Sequence, residues 1–383
     1  MNTWICCQLG AREHYAVPRA LQLGGVLDEF VTDLWVRPRR FHPGLGDARV
    51  LASNIPALLF ELKASFAREN GWRLISRRNE WFQQHAVAHL KASANGNHTV
   101  FAYSYAAKQI FEFARARGWR TVLGQIDPGP VEERIVTDLE KNSPIKHTHW
   151  EPAPKAYWDD WRNECLLADQ ILVNSEWSKD ALIAEGVATE KIKVVPLAYE
   201  AANDARSFQR HYPRAFSAER PLRVLFLGQV NLRKGVAPLL EAVKLMSDEH
   251  VEFWFVGPMQ VRVPRELRLY AKVRWFGVAP RVAVDGYYRD ADVFILPTLS
   301  DGFGLTQLEA QAWKLPVIAS RYCGDVVRDG SNGVVLGDVS GLRIAEVLRE
   351  FLRSPERLSG MSMRAGVDER FSLTRLASSL KQL

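Results

Sequence analysis

Along the first half of the chain, short runs of apolar and β-favouring residues alternate with amphipathic stretches. The runs predict strands at residues 4–9, 29–35, 99–103, 121–126 and 170–174, and the half ends near 194–197. Ser175 is placed to cap the next helix, because its hydroxyl can accept a hydrogen bond from a backbone amide. Strands that alternate with helices in this way predict a parallel sheet with crossover helices.

The second half repeats the alternation, with strands predicted at 224–227, 251–256, 273–276, 293–296 and 316–320. We therefore expect an α/β protein of two Rossmann-like, doubly wound domains that face a central cleft. The expected domains span 1–200 and 221–383, with a linker at 201–220 and a last helix at about 371–381 that packs back on the N-terminal domain. Such sheets bind ligands beyond the carboxyl ends of their strands, so the cleft is the expected site.

The 383 residues, 47% hydrophobic and 25% charged, are typical of a globular protein rather than a disordered one. No apolar run approaches the roughly 20 residues of a membrane span, and the N-terminus lacks the pattern of a secretory leader. The four cysteines, at 6, 7, 165 and 323, show neither disulfide nor zinc spacing. We therefore expect a cytoplasmic protein.

Positive charge is concentrated near the N-terminus. Residues 1–120 hold 16 Lys and Arg against 9 Asp and Glu, whereas the whole chain carries a net charge of +6. The segment 37–78 alone has nine basic and three acidic residues, with aromatic residues between them. Such a segment is typical either of a solvated face or of a surface that meets an anionic partner, such as the inner face of a membrane. Nucleic acid is disfavoured, because no aromatic-basic recognition motif occurs.

A glycine-rich loop with two carboxylates follows the strand predicted at 293–296. The positions with candidate chemistry are Asp301, Gly302, Gly304, Leu305, Thr306 and Glu309. The two glycines allow a tight turn, and the two amides at the start of the next helix can meet a phosphate. The first acid can bind sugar hydroxyls, and the second can chelate the vicinal hydroxyls of a ribose.

A second loop, at 226–235, has the same order of strand, glycine, loop and helix. Gly228 ends the strand, and Arg233 and Lys234 stand where a diphosphate would need countercharge. Either loop alone is more often an ordinary surface turn. Their occurrence about 70 residues apart in one α/β half favours a shared anionic ligand.

These residues resemble the retaining, nucleotide-sugar-dependent glycosyltransferases of the group 1 type, family four, which have the GT-B fold. The matching motifs are Gly228 with Lys234-Gly235, Phe276-Gly277, Tyr288 with Ala291-Asp292-Val293, and Asp301 separated by seven residues from Glu309. The resemblance covers the C-terminal half and extends back to about residue 168. It is faint before residue 120.

The resemblance implies a role for each matching residue. Lys234 would bind the donor diphosphate, Asp301 the donor sugar and Glu309 the ribose, while Phe276 and Gly277 would lie beside the base. The whole donor-binding set is then Gly10, Gly228, Arg233, Phe276, Gly277, Gly302, Phe303, Gly304, Leu305, Thr306 and Glu309.

The sequence also departs from the family pattern. The family's phosphate-binding Arg is Gln229 here, so Arg233 would have to replace it. The His that the N-terminal domain usually contributes is absent, and Asp127 is the substitute that we expect beside Lys234 and Asp301 in the catalytic set. His14 and His147 are the candidates for contact with the acceptor.

The expected activity is retaining transfer of a sugar from a nucleotide diphosphate-sugar to a glycan or lipid-linked acceptor, without a metal and with no cofactor beyond this co-substrate. Peripheral contact with an anionic membrane is a further expectation. Two alternatives stay open. One is a catalytically lapsed protein that binds a nucleotide sugar or a glycan, and the other is a nucleotide-sugar epimerase.

Overall fold

The computed structural model describes residues 3–38, 40–93 and 96–383; Arg39, in the basic segment, lies outside them. Within these residues the first part of the chain forms a parallel sheet with strands β1 (Thr3–Gln8), β2 (Leu27–Thr32), β3 (Val50–Ala52), β4 (His98–Tyr103), β5 (Arg120–Gly124), β6 (Gln170–Val173) and β7 (Ile192–Val194). Their spatial order is β3-β2-β1-β4-β5-β6-β7. The order reverses between β1 and β4, so the sheet is doubly wound.

The second part of the chain forms another parallel sheet. Its strands are β8 (Leu222–Leu227), β9 (Val251–Val256), β10 (Val273–Gly277), β11 (Val293–Leu296), β12 (Val317–Ser320) and β13 (Gly333–Leu336). Their spatial order is β10-β9-β8-β11-β12-β13. All residues of β9 and β11 are buried, as expected where helices cover both faces of a parallel sheet.

Helices connect the strands and cover the sheets. Those around the first sheet are α1 (Ala16–Leu23), α2 (Asn54–Phe66), α3 (Gly71–Ser93), α4 (Lys108–Ala116), α5 (Pro130–Asn142), α6 (Lys155–Leu167) and α7 (Glu176–Ala184). Those that follow are α8 (Asn203–Ser207), α9 (Val236–Leu245), α10 (Arg265–Arg268), α11 (Arg281–Asp290), α12 (Thr306–Ala312), α13 (Gly341–Arg353), α14 (Pro355–Arg364) and α15 (Leu373–Lys381). None of the described helices combines the length and the apolar character that crossing a membrane requires.

The fold class predicted from the alternation of strands and helices is confirmed, with differences at particular elements. The sequence analysis did not predict β3 and β13, which are short edge strands of three and four residues. The strands predicted at 29–35 and 121–126 end earlier, at Thr32 and Gly124. Ser175 does cap α7, since its side chain accepts from the amide of Ser178 at 3.1 Å.

The last helix, α15, lies against the first sheet rather than the second. Leu376, Ala377 and Leu380 are buried in one apolar cluster with Trp4 and Tyr15. Residues 195–221, which include α8, connect the two sheets. The predicted domain limits at 200 and 221 stay a prediction.

Candidate active site between the two sheets

Arg233 and Lys234 lie on the loop that connects β8 to α9. The loop closes at Gly235, whose φ is +73°, and a Cβ there would lie 1.8 Å from the carbonyl oxygen of Pro297. The carbonyl of Arg233 accepts from the amide of Leu299 at 2.8 Å. The loop is thereby bound to the segment that follows β11, and both cations are held at the carboxyl edge of the second sheet.

Asp301 joins these two cations. The Lys234 ammonium contacts the Asp301 carboxylate directly. The Arg233 guanidinium lies 3.6 Å from the other Asp301 oxygen and donates to the carbonyl of Ser300 at 2.9 Å. Burial acts to raise the pKa of Asp301, but the two cations outweigh it and hold that pKa below its ordinary value. Asp301 is therefore ionised at neutral pH.

Glu132, which the sequence analysis did not single out, adds a carboxylate from the opposite sheet. It lies in the first turn of α5, and one of its oxygens is 3.4 Å from Nε of Arg233. The hydroxyl of Ser300 donates to its other oxygen at 2.9 Å. Burial raises the pKa of Glu132 to about 7 against the effect of Arg233, and the nearby carboxylates of Asp127 and Asp301 add to the rise. The position of Glu132 in the sequence could have indicated it, because Glu132, like Asp127, follows β5 and therefore lies at the same edge of the sheet.

Asp127 is held by its own loop. Its Oδ1 atom accepts hydrogen bonds from the hydroxyl of Tyr105, from the amide of Gly129 at 2.9 Å and from the side chain of Gln125 at 3.3 Å. The structure thus brings Asp127 close to Glu132 and Arg233, but with one carboxylate oxygen already engaged.

A cavity of about 450 Å³ opens beside this cluster. Its lining includes Asp127, Glu132 and Arg233 together with the rings of Trp72, Tyr105, Tyr157 and Trp158. Both sheets contribute to the lining, so this space is part of the cleft between them. We call it the aromatic cavity.

Glu309 lies in a different cavity, of about 360 Å³, which we call the Glu309 cavity. The hydroxyl of Tyr288 donates to its Oε2 atom at 2.7 Å. Burial raises the pKa of Glu309, and Tyr288 and Arg281 oppose that rise. The ammonium and the first carboxylate of the predicted set therefore meet, whereas the second carboxylate lines a separate space.

His14 lines the Glu309 cavity from the first sheet. It lies in a left-handed turn, with φ of +49° at Glu13, +53° at His14 and +60° at Tyr15, which is unusual for residues with side chains. Its ring nitrogens lie 3.2 and 3.0 Å from the guanidinium of Arg281. Burial lowers the pKa of His14, and Arg281 adds to the shift, so the ring is neutral at pH 7.

The loop 302–304 packs against the first sheet. A Cβ at Gly302 would lie 2.2 Å from the carbonyl oxygen of Ile126, so the two segments of the chain are in direct contact there. The ring of Phe303 is buried against Phe371. Gly304 has φ of +76°, and a Cβ there would be 3.4 Å from the Asp301 carboxylate. Gly302 thus permits a close approach of two backbone segments, and Gly304 permits a close approach of side chains.

Three other predicted phosphate-binding positions are Gly228, Leu305 and Thr306. Gly228 has φ of +149°, and Gln229, where the family has Arg, accepts from the side chain of Asn231 at 3.3 Å. Leu305 precedes α12 and Thr306 is its first residue, but the helix has only seven residues. Its amides are therefore a weaker source of positive dipole than the sequence suggested.

Gly10, Phe276 and Gly277 line neither of the two cavities. The amide of Gly10 donates to the Asp33 carboxylate at 2.9 Å. Phe276 is the next-to-last residue of the edge strand β10, is 39% exposed and packs edge-on against Tyr287. Among the described residues that line the two cavities, none of the three predicted positions appears.

His147 lines the aromatic cavity, but its ring is engaged. Its Nδ1 atom contacts the Glu140 carboxylate, and its Nε2 atom accepts from the amide of Leu232 at 3.3 Å. The next residue, Thr148, receives a further contact, since its amide donates to the carbonyl of Gln260 at 2.8 Å. His147 therefore connects the two halves of the chain, and His14 and His147 belong to different cavities.

The cysteines form no disulfide in this structure. All four cysteines are buried and unpaired. Residues 3–38, 40–93 and 96–383 contain no group of three or more His, Cys, Asp and Glu side chains placed to hold a metal ion.

Comparison with known proteins finds a family match within the second half of the chain. Residues 221–354 match the family described as glycosyl transferases group 1. A D-inositol 3-phosphate glycosyltransferase of Xylanimonas cellulosilytica is 30% identical over 218 residues, which are 51% of this chain and 51% of that protein. An uncharacterized protein of the Klebsiella pneumoniae cps region is 24% identical over 48% of this chain and 53% of its own length. The chain thus matches about half the length of these curated relatives.

Solved structures match the whole chain. Sucrose-phosphate synthase of Thermosynechococcus elongatus superimposes with a TM-score of 0.69 at 16% identity, over all of this chain and 98% of that one. Anabaena HepE in complex with UDP gives a TM-score of 0.61 at 14% identity, over all of this chain and 99% of that one. With its two parallel sheets facing a cleft, the chain has the GT-B fold, and the segment of it that matches the glycosyl transferases of group 1 is residues 221–354.

Proposed function

We propose that this protein transfers a sugar from a nucleotide diphosphate-sugar to a glycan or lipid-linked acceptor, with retention of configuration. The observation that carries the proposal is the contact between Lys234 and Asp301, with Arg233 beside them, at the carboxyl edge of a group 1 domain. Two cations in this place suit a diphosphate, and a carboxylate beside them suits the hydroxyls of the attached sugar.

The roles follow from the chemistry of the leaving group. As the bond from sugar to diphosphate breaks, negative charge grows on the phosphate, and Lys234 with Arg233 would stabilise it by several kcal/mol. The diphosphate competes with Asp301 for the ammonium, which frees the carboxylate to accept from sugar hydroxyls. Glu309 would bind the ribose in its own cavity. The leaving phosphate would take the proton of the acceptor hydroxyl on the same face of the sugar.

These cations also support transfer without a metal. A divalent ion would serve to offset the charge of the diphosphate, and two buried side chains already supply positive charge at this place. The rate with a saturating donor is therefore expected to be unchanged by EDTA. A rate that falls with EDTA and returns with Mg²⁺ or Mn²⁺ would contradict this part of the proposal.

Similar proteins indicate which ligands to test first. HepE has been crystallised with UDP and with UDP-glucose, and TarM of S. aureus with UDP and α-GlcNAc-glycerol. UDP-sugars are therefore the first donors to test, followed by GDP- and ADP-sugars. A ligand that binds the native state raises its melting temperature, so a thermal-shift series identifies the nucleotide.

Lys234→Ala tests the central assignment. We expect turnover to fall at least about 100-fold, in the range seen when one preorganised charge-stabilising group is removed. Lys244→Ala is the matched control, since Lys244 is exposed on α9, ten residues farther along. Turnover by Lys234→Ala within a few-fold of the control would refute the assignment.

Membrane contact is supported by the outer face of α2. Five large apolar side chains on this face are more than half exposed: Ile55, Leu58, Leu59, Leu62 and Phe66. The spacing of three and four residues puts them on one side of the helix, while Ala57, Phe60 and Ala64 are buried on the other. Exposed apolar stripes of this kind are typical of docking surfaces.

The chemistry around α2 favours an anionic bilayer as the partner. Lys63, Arg68 and Arg73 are exposed at the end of α2 and the beginning of α3. An apolar face flanked by basic residues suits the boundary between headgroups and acyl chains. Trp72, in the same turn, lines the aromatic cavity, so a bilayer here would lie near the site. We therefore propose a peripheral protein of the cytoplasmic face.

Replacement of three residues tests the membrane contact. The combined variant Leu59→Gln, Leu62→Gln and Phe66→Gln should lose flotation with vesicles of phosphatidylglycerol and phosphatidylethanolamine at low salt, with the rate on a short soluble acceptor preserved. Leu166→Gln is the control, because Leu166 is 71% exposed on α6. If the variant floats with the vesicles as well as the control does, the proposed membrane contact is refuted.

Two observations favour a second candidate, a protein that binds a nucleotide sugar without turnover. Gln229 stands in place of the family's phosphate-binding Arg, and one oxygen of Asp127 is engaged by Tyr105. Thermal stabilisation by a nucleotide sugar, with neither hydrolysis nor transfer over hours, would support this candidate against the enzyme.

A further inference from the structure

The aromatic cavity lies next to the groups to which we assign the donor sugar. The roles proposed for those groups assign no ligand to the cavity itself. Arg233 and Glu132 line it at one end, and Arg233 also faces Asp301. Its volume of about 450 Å³ lies within the range of small-molecule sites. Part of a molecule bound in this cavity would therefore face the position where the sugar is transferred.

Four aromatic rings form one wall of the cavity. Tyr105 and Tyr157 stack with ring centres 4.9 Å apart and planes inclined by 19°. Trp72 and Trp158 lie 4.9 and 5.2 Å from the ring of Tyr157. Tyr157 is thus the centre of an aromatic platform built from α3, α6 and the loop after β4.

The polar atoms of three of these rings are bound by the protein itself. The indole nitrogen of Trp72 donates to the carbonyl of Glu151 at 2.9 Å, and that of Trp158 donates to Glu133 at 2.8 Å. The hydroxyl of Tyr105 donates to Asp127. The rings are therefore oriented by fixed hydrogen bonds, and they offer carbon surface to a ligand. The C–H face of a pyranose ring is an apolar surface of matching shape.

The charge of the lining is negative. Asp127, Glu132, Glu133 and Glu151 line the cavity against one guanidinium, Arg233, which already faces Glu132 and Asp301. His149 lies 3.8 Å from Glu151 at the exposed rim. Carboxylates accept hydrogen bonds from sugar hydroxyls, but they repel phosphate, sulfate and carboxylate groups.

We propose that the aromatic cavity binds an uncharged pyranose unit of the acceptor, stacked on Tyr157, and excludes acceptors that carry an anionic group on that unit. The proposal rests on the proposed function and specifies its acceptor. It separates this protein from relatives named for D-inositol 3-phosphate, whose acceptor is a phosphate ester. The selective elements are the aromatic platform for attraction and the carboxylates of Asp127, Glu133 and Glu151 for repulsion, to which Glu132 adds as it ionises.

Binding without donor tests the cavity independently of turnover. The probes are the methyl glycosides of glucose, galactose and mannose, with glucose 6-phosphate, methyl glucuronide and D-inositol 3-phosphate as anionic counterparts. Tryptophan fluorescence and saturation-transfer NMR are expected to report binding of at least one neutral glycoside, at least ten-fold tighter than every anionic probe. Equal or tighter binding of an anionic probe would overturn the proposal. Glucosamine that binds more than ten-fold tighter than glucose would also overturn it, because charge rather than the platform would then select the ligand.

Tyr157→Ala and Tyr157→Phe form a matched pair. Loss of the ring should raise the acceptor KM at least about ten-fold with the donor KM unchanged, whereas Phe keeps the ring and should restore the acceptor KM. The thermal shift with UDP shows that the Ala variant is folded. An acceptor KM that is the same in both variants would overturn the assignment.

The two proposals fail in different ways. If Tyr157→Ala transfers sugar to a neutral acceptor at the normal rate, the acceptor site in the aromatic cavity is refuted and the glycosyltransferase activity stands. If the protein binds neutral glycosides at this cavity but binds no nucleotide sugar, the binding site stands and the transferase activity is refuted.

Discussion

The two walls of the cleft are built in different ways. On the C-terminal wall, Arg233 and Lys234 lie on one loop and Asp301 on another, and short turns of fixed geometry hold all three. On the N-terminal wall, Trp72, Tyr105, Glu132 and Tyr157 come from four separate elements. The C-terminal wall supplies countercharge from residues that lie in compact motifs. The N-terminal wall supplies shape and negative charge from residues that are far apart in the sequence. A motif with fixed backbone suits a constant ligand, whereas an assembled surface can vary with the acceptor.

The largest effect is expected where the C-terminal wall depends on close backbone contact. Gly235→Ala places a Cβ 1.8 Å from the carbonyl oxygen of Pro297 at a φ of +73°. We expect loss of the folded C-terminal half, seen as loss of its cooperative thermal transition, because a backbone atom cannot move aside as a side chain can.

Gly330→Ala is the matched control for this substitution. Its φ is +69°, but no atom lies within 4 Å of the added Cβ. The cost there is the strain of a left-handed residue alone, about 1 kcal/mol. If both variants melt at the same temperature, close contact is not what holds the Arg233–Lys234 loop.

The second prediction concerns the carboxylate that the donor is proposed to displace. Asp301→Asn should lower kcat at least about 100-fold and tighten the binding of UDP, because Lys234 then has no competing anion. Asp248→Asn, at an exposed position after α9, is the control. Isothermal titration with UDP measures the affinity. Weaker binding of UDP to Asp301→Asn would show that the carboxylate orders Lys234 rather than competes for it.

The contrast between the two walls explains how much of the fold and of the candidate site could be predicted from the sequence. The fold class follows from the alternation of strands and helices. The contact between Lys234 and Asp301 follows from two motifs, each local in the chain, that come after the neighbouring strands β8 and β11. Glu132 and the aromatic platform were missed, because parallel strands bring together residues from α3, α5 and α6 that no local pattern connects. The expected convergence of Glu309 with the other two charges also depended on helix direction, which a motif does not specify, and Glu309 lies in its own cavity.

The third prediction is a pH dependence that belongs to the N-terminal wall. Burial raises the pKa of Glu132 from 4.5 to about 7, so the folded protein holds a proton that the unfolded chain releases. The contribution of this residue to stability therefore falls as pH rises from about 4.5 to about 7, and is constant above that. The total change is on the order of 3 kcal/mol.

Glu132→Gln removes this titration. The melting temperature of the wild type, relative to that of the variant, is expected to decrease between pH 5 and pH 7.5, measured at constant ionic strength. A difference that does not depend on pH, or that increases with pH, would mean that Arg233 keeps Glu132 ionised over the whole range.

The smallest effect tests whether the walls are coupled through α7. Ser175 caps this helix, and Ser178 in its first turn donates to the carbonyl of Gly302 at 3.4 Å, so the helix connects the N-terminal wall to the loop beside Asp301. Ser175→Ala should lower stability by about 1 kcal/mol, the usual cost of a lost N-cap, and Ser175→Asp should restore it. If the contact only packs the two sheets together, kcat stays constant in both variants. A kcat that falls several-fold in Ser175→Ala and returns in Ser175→Asp would show instead that the cap positions Gly302, and that the donor wall depends on its neighbour for more than the acceptor.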